Sequence, residues 1–296
     1  MAEPDSLHLA SGRLAALAWG EPEAPTWLAL HGWLDNAASF SRLAPRLVER
    51  LSVRVVALDF SGHGESAHRA GDYALWDYCH DVLDAADALG LERLTLLAHS
   101  MGAGVACLLA AALPERVARL LLVDGLGAVT TPAAEVPAQL RKGLLAARRT
   151  PSPPPRYPDN EMAVAARVAG GVTPIDAATA EPLVRRNLEP LPDGHRRLRT
   201  DGRLLWPSPL RLSPEQARAV LAAIRCPALL IEGENGILGE RAPAAMARAA
   251  LPGLVRRVVP GGHHLHLEPA AVSAVVESIV AWLADAAGEQ RQGEGA

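Results

Sequence analysis

Six short apolar runs punctuate the chain, and each closes on glycine or serine. They occupy residues 26–32 (TWLALHG), 53–64 (VRVVALDFSGHG), 93–100 (RLTLLAHS), 119–125 (RLLLVDG), 227–233 (PALLIEG) and 254–262 (LVRRVVPGG). Runs of this length between turn residues predict strands buried on both faces. Between them, apolar positions recur at three- and four-residue spacing. That pattern predicts helices over roughly 39–50, 76–89, 102–113, 214–224, 242–250 and 269–286. Alternating strands and helices imply a mostly parallel sheet with helices on both faces, an α/β architecture. The opening stretch LHLASGRLAALAWG reads as a hairpin pairing antiparallel at the sheet edge.

One interval breaks the rhythm. Residues 126–212 carry no strong strand and contain the proline cluster TPSPPPRYPDN, which excludes regular structure. Helix-like pieces such as AEVPAQLRKGLLAARR and EMAVAARVAGG flank the cluster. The expectation is an inserted helical cap over 126–212, a core built from 1–125 and 213–287, and a tail without regular structure over 288–296.

Composition narrows the function classes. The chain has 296 residues, and its 33 acidic against 29 basic side chains leave a formal net charge of −4. There is no basic stripe of the kind that tracks nucleic acid. The interval 126–212 is locally basic, with 13 Arg and Lys against 8 Asp and Glu. A solvated surface is the simpler reading of that excess, and a cap favouring anionic substrates is the sharper one. The three cysteines, Cys79, Cys107 and Cys226, sit far apart in apolar surroundings, which argues for reduced thiols rather than a disulfide framework or zinc site. Acids and proline near the N-terminus do not fit a secretory signal, and no apolar stretch is long enough to span a bilayer. A cytoplasmic location is expected.

The chemistry concentrates at the ends of the apolar runs. In LLAHSMGAG, Ser100 lies between Ala98 and Gly102, where a strand passes into an Ala-rich helix. A nucleophile on so sharp a turn needs small neighbours two residues away on either side. The bland alternative is a serine capping the helix. In HGW, Gly32 would let the backbone turn so that the amides of Trp33 and Met101 together hold an oxyanion; the bland alternative is an ordinary strand-ending glycine turn. The His31 and Trp33 side chains read as packing or pocket wall. In DFSGHGESAH there is no P-loop lysine, so Asp59, His63 and Ser66 are expected to bond to backbone in a structural turn. In PGGHHLHLEP, no carboxylate pair or cysteine set accompanies the three histidines, so a metal is not expected. His263, directly after the glycine pair, is the candidate general base, with His264 and His266 as satisfied neighbours.

The order of these motifs resembles the α/β-hydrolase superfamily over nearly the whole chain outside the insertion and tail. More narrowly, LHGWLDNAASFSRLAPRL, ALDFSGHGESAH and VPGGHHLHLEP are similar to the serine hydrolase-like proteins. The resemblance implies a serine hydrolase with no tightly held cofactor. Two positions depart from the superfamily pattern: Ala98 replaces the first elbow glycine, and Gly236 stands where the acid partner of the histidine usually lies.

That second departure matters, because loss of the acid in a serine protease costs about 10⁴ in rate. Some superfamily members, certain haloalkane dehalogenases among them, carry the acid after the strand that follows the nucleophile. Here that residue is Asp124, at the tip of a strand expected to neighbour the Ser100 strand, facing the same crevice. Its bland alternative is a turn residue ahead of Gly125. Asp124 is preferred. Glu234 is the second candidate, Glu240 and the neutral Asn235 lie in the same loop, and a chain without a functional acid is the remaining alternative. The expected reaction is hydrolysis of a small or medium acyl ester, thioester or lactone through an acyl-enzyme on Ser100. Trp206 and Tyr157 are expected to line the cap. Carbon–carbon bond hydrolysis, acyl transfer and a non-catalytic binder are the alternatives. A small-molecule acyl substrate is the only partner expected, without nucleic acid or membrane.

Overall fold

The computed structural model describes residues 3–171 and 173–293. Its centre is an eight-stranded sheet built from β1 (Asp5–Leu9), β2 (Leu14–Trp19), β3 (Thr26–Leu30), β4 (Arg54–Leu58), β5 (Leu94–His99), β6 (Val117–Val123), β10 (Ala228–Gly233) and β11 (Val255–Val259). The spatial order is β1-β2-β4-β3-β5-β6-β10-β11. β1 and β2 form the expected edge hairpin, β2 runs antiparallel to β4, and the pairs from β4 to β11 are parallel.

Alternation along the strands supplies two cores. Leu28, Leu30, Val56, Leu58, Leu96 and Leu122 point to one face. There they meet Val82 and Ala85 of α2 (Asp77–Ala88), Val105 and Leu109 of α3 (Met101–Ala112) and Leu221 of α7 (Pro214–Ala223). Trp27, Ala29, Val55, Ala57, Leu97 and Ile231 point to the other, against Leu43 and Leu47 of α1 (Leu43–Leu51) and Val275 and Ile279 of α9 (Val272–Gly293). α8 (Ala242–Ala250) covers the first face through Ala247 and Ala250. The strands thus bury both sides, which is why they read as apolar runs.

Between β6 and α7 the chain forms α4 (Val136–Ala147), α5 (Asn160–Gly170) and α6 (Ala177–Asn187). Asp159 and Asp176 start α5 and α6 by accepting from the amides of Met162 and Thr179 at 2.8 and 2.7 Å. The segment is not wholly helical. β7 (Arg156–Tyr157), β8 (Leu188–Pro190) and β9 (Arg196–Leu198) make a small antiparallel sheet in the order β7-β9-β8. Two- and three-residue strands are too short to leave a periodic signal. Tyr157, expected to line the cap, packs instead against Ala163, Val184 and Leu188 inside this segment.

The segment is pinned to the sheet domain at several points. The amide of Thr131 donates to Leu212 O at 3.0 Å, closing its two ends together. Asn36 Nδ2 donates to Leu183 O at 2.8 Å, and Tyr73 OH donates to Asp201 at 2.7 Å. Arg186 of α6 reaches the fully buried Asp59, with Nε 2.9 Å from Oδ2. Asp59 also accepts from the amides of Ala37 and Glu65 at 2.7 and 2.8 Å, while Ser66 bonds to the backbone of residues 15 and 59.

The C-terminal expectation needs correction. Residues 288–293, assigned to an irregular tail, continue α9 as far as Gly293, and residues 294–296 lie outside the described residues. Glu, Gln and Arg at 289–292 are good helix formers, and the single Gly288 does not interrupt them.

Gly102 marks the tightest packing of helix on sheet, since a Cβ there would fall 2.2 Å from Leu30 O and 2.8 Å from His31 O. Both neighbours are backbone and cannot turn away. Gly102→Ala is expected to destabilise the fold by about 1–3 kcal/mol through overpacking, read as a lower urea midpoint.

Candidate active site

Ser100 occupies the step from β5 into α3, with φ 52° and ψ −114°. A non-glycine residue there is strained, and such strain persists only where its surroundings over-determine it. The constraints are visible on each side. The Ser100 amide donates to Val123 O at 3.1 Å, and the Gly102 amide donates to His31 O at 3.1 Å. Gly125 lies directly against the turn, where a Cβ would meet Ser100 N, Cα and O at 2.6–2.7 Å. Its position beneath the serine depends on β5 and β6 being neighbours, which local pattern does not record.

His263 follows β11, and its ring lies between the two other candidates. Nε2 is 3.0 Å from Ser100 Oγ, and Nδ1 is 2.6 Å from Asp124 Oδ2. Asp124, fully buried with φ 40°, sits just beyond β6, and its own amide donates to Ile231 O at 2.8 Å. Its carboxylate also accepts from the Ile237 amide at 2.8 Å and, at a longer 3.4 Å, from the Gly233 amide. Because the carboxylate can only accept, Nδ1 carries the proton and Nε2 presents its lone pair to the serine hydroxyl.

The same geometry explains Gly236. A Cβ at that position would lie 2.1 Å from Asp124 Oδ1 and 2.6 Å from Oδ2. The place of the usual acid is filled by a carboxylate arriving from the next strand. Glu234 is exposed, and Glu240 is exposed with its carboxylate 2.6 Å from Arg256. Asn235 is exposed, and its amide donates to Gly261 O at 2.9 Å. Glu232, buried in β10, holds the loop from below through Arg248 and Arg256, both 2.9 Å away, and Arg248 also reaches Gly239 O at 3.0 Å.

Met101 opens α3, so its amide has no acceptor within its own helix. The Gly102–His31 bond puts that helix start alongside the turn containing Trp33, which is closed by the Asp35 amide donating to Gly32 O at 3.1 Å. The Trp33 ring leaves the turn to donate from Nε1 to Leu204 O at 3.0 Å, joining the site's rim to the inserted segment.

The surrounding histidines are buried and divide by partner. His31 donates from Nδ1 to Gly32 O at 2.7 Å and accepts from the Phe60 amide at 3.0 Å, so both ring nitrogens are satisfied in the neutral form. Burial pushes its pKa down to about 4, against the opposing pull of the Gly32 carbonyl. His63 donates from Nδ1 to Ser61 O at 3.2 Å, and burial takes it down to about 3. Burial likewise raises the thiols of Cys79 and Cys107, to about 11 and 12, which keeps them protonated and poor nucleophiles. Among the described residues, no three His, Cys, Asp or Glu side chains are grouped to hold a metal ion, and no helix is long and apolar enough to cross a membrane.

A strained serine at a strand–helix turn thus meets a histidine and an aspartate from two further loops of one mostly parallel sheet. Residues 25–270 match the family model of the α/β hydrolase fold. The chain belongs to the α/β-hydrolase fold family. A serine hydrolase-like protein of Dictyostelium discoideum is 33% identical over 281 residues, covering 90% of this chain and 78% of that protein. The crystal structure of a hypothetical protein from Pseudomonas aeruginosa PAO1 is 44% identical, with a TM-score of 0.85 over 96% of this chain and 100% of that one. A thioesterase domain from the curacin biosynthetic pathway is 26% identical, with a TM-score of 0.78 over 94% of this chain and 99% of that domain. Fold and relatives together mark the chain as a hydrolase.

The short His263–Asp124 contact generates a direct test. Charge-assisted hydrogen bonds of this length deshield the bridging proton. Proton NMR of the hydrolase is expected to show a far-downfield His263 Nδ1–H resonance that disappears in Asp124→Asn and survives in Glu234→Gln. Its survival in Asp124→Asn would place the acid elsewhere.

Proposed function

We propose that the hydrolase cleaves small or medium acyl esters or thioesters through a covalent acyl-enzyme on Ser100. The observation that carries this reading is the unbroken chain from Ser100 Oγ to His263 Nε2 at 3.0 Å and from His263 Nδ1 to Asp124 at 2.6 Å. His263 takes the hydroxyl proton as Ser100 Oγ attacks the acyl carbonyl carbon. The carbonyl oxygen becomes an oxyanion held by the amides of Trp33 and Met101, where one lost donor costs roughly 3–4 kcal/mol in a studied protease. His263 returns the proton to the leaving alcohol or thiol as the carbon–oxygen or carbon–sulfur bond breaks. It then activates water, which releases the acid and regenerates Ser100. Asp124 stays a carboxylate throughout, holding the ring and balancing its transient charge.

Several features support this reading over its rivals. A serine at the elbow, rather than aspartate, argues against carboxylate-nucleophile chemistry. The non-catalytic alternative drew its force from Gly236, and a carboxylate already occupying that space removes the motive. A thioesterase domain among the similar structures favours keeping thioesters in the substrate class. Residues 126–212 act as the cap that shapes the acyl site, tied to its rim through Trp33 and Leu204. Of the 13 basic side chains in this segment, Arg156, Arg185, Arg186, Arg197, Arg199 and Arg203 are paired with carboxylates, so much of the local charge serves the segment's own packing.

A fluorophosphonate probe is expected to label the wild type but not Ser100→Ala, and absence of labelling where control hydrolases react would remove the acyl-enzyme reading. Asp124→Asn is expected to lower kcat on a responsive ester by about 10⁴, with thermal unfolding little changed. Glu234→Gln is expected to be near wild type. The reverse ranking would return the acid to the loop after β10. A panel of esters and thioesters of increasing acyl length defines the substrate.

A further inference from the structure

Behind His263 lies a buried polar cluster that the proposed mechanism does not use. His99 precedes Ser100 directly and is fully buried. Its Nε2 lies 2.9 Å from the main-chain oxygen of His263, and since a carbonyl only accepts, Nε2 carries the proton. Burial, reinforced by the imidazoles of His266, His263 and His264, holds the His99 pKa well below the ordinary value, so the ring is neutral. Nδ1 is therefore a bare lone pair, and it has no hydrogen-bond partner among the described residues.

That lone pair faces Asp35 Oδ2 at 3.6 Å, and the same oxygen accepts from His264 Nε2 at 3.1 Å. Asp35 is only 5% exposed, and among the described residues no arginine or lysine pairs with it. Burial disfavours its charge, but the ring of His264, aided by His31, outweighs this and keeps the carboxyl well below the usual carboxylate range. Asp35 thus meets three segments at once: the turn carrying Trp33, the strand carrying Ser100, and the loop carrying His263. Gly32 shows how closely they approach, since a Cβ there would fall 3.0 Å from His99 Nδ1 and 3.1 Å from Asp35 Oδ2. For stability alone, a buried carboxylate that neither arginine nor lysine pairs is a poor choice beside an apolar side chain of similar volume.

We propose that Asp35 is a positioning residue that sets the spacing between the oxyanion turn at Trp33, of which it is part, and the histidine at 263, through its bond to the adjacent His264. The proposal rests on the acyl-enzyme reading. The Trp33 amide must stand where the oxyanion develops, while His263 Nε2 must stay on Ser100 Oγ. One buried group touching both supports holds those requirements together.

The test compares Asp35→Leu, Asp35→Asn, His264→Leu and His264→Gln with the wild type. It measures kcat and KM on an ester the wild type hydrolyses, the rate of fluorophosphonate labelling, and thermal unfolding. A displacement of about 1 Å at a site of this kind costs about 10²-fold in rate. Folded Asp35→Leu and His264→Leu are expected to lose kcat and labelling rate by about that factor with KM little changed. Asp35→Asn can still accept from His264 through its amide oxygen, and His264→Gln keeps an N–H for Asp35. Both are expected to recover most of the lost rate, a rescue and a kcat-against-KM split that a merely structural role would not produce. If Asp35→Leu fails to fold, the His264 pair and Asp35→Asn decide the matter. Wild-type kcat in a folded leucine variant overturns the proposal, as does a polar variant no better than its leucine counterpart. A labelled wild type with unaffected leucine variants overturns this proposal alone, whereas an unlabelled wild type overturns the acyl-enzyme reading and this proposal with it.

Discussion

The site depends on the contact between the buried carboxylate of Asp124 and the Nδ1–H of His263, at 2.6 Å. It fixes the tautomer that leaves Nε2 facing Ser100, and it requires three strand ends to converge. Adjacent parallel strands deliver that convergence, because β5, β6, β10 and β11 lie side by side and open their C-terminal ends into one crevice. Ser100, Asp124 and His263 each leave one of those ends.

Convergence makes space the scarce quantity. Gly125 gives way to Ser100, Gly102 to the carbonyls of Leu30 and His31, and Gly236 to the Asp124 carboxylate. These glycines are better understood as room for a neighbour than as local flexibility. Of Ser100, Asp124 and His263, the first two take a positive φ, and backbone bonds to Val123 and Ile231 hold both. The absence of an acid at 236 and its presence at 124 are therefore one structural fact.

Support for the site extends outward in charged and polar layers. Glu232 anchors the loop around Asp124 through two arginines, and Asp59 with Arg186 joins the inserted segment to the loop after β4. Asp35 lies between the histidine loop and the Trp33 turn. Each is a buried carboxylate joining segments distant in sequence, which local hydrophobic pattern cannot specify.

The sequence by itself determined the strands and most helices of the core, because burial on both faces forces continuous apolar runs and burial on one face forces helical spacing. It also made Ser100 and His263 legible, since a serine between small residues and a histidine after paired glycines are local signals. Asp124 stood out only through an assumption about which strands are neighbours. What the tertiary structure decided is which of Asp124 and Glu234 meets His263, that Tyr157 packs within the insertion, that short strands pair there, and that His99 and Asp35 share a buried contact. Each of these depends on distances between residues far apart along the chain, and such distances exist only once the sheet has closed its order and the helices have packed upon it.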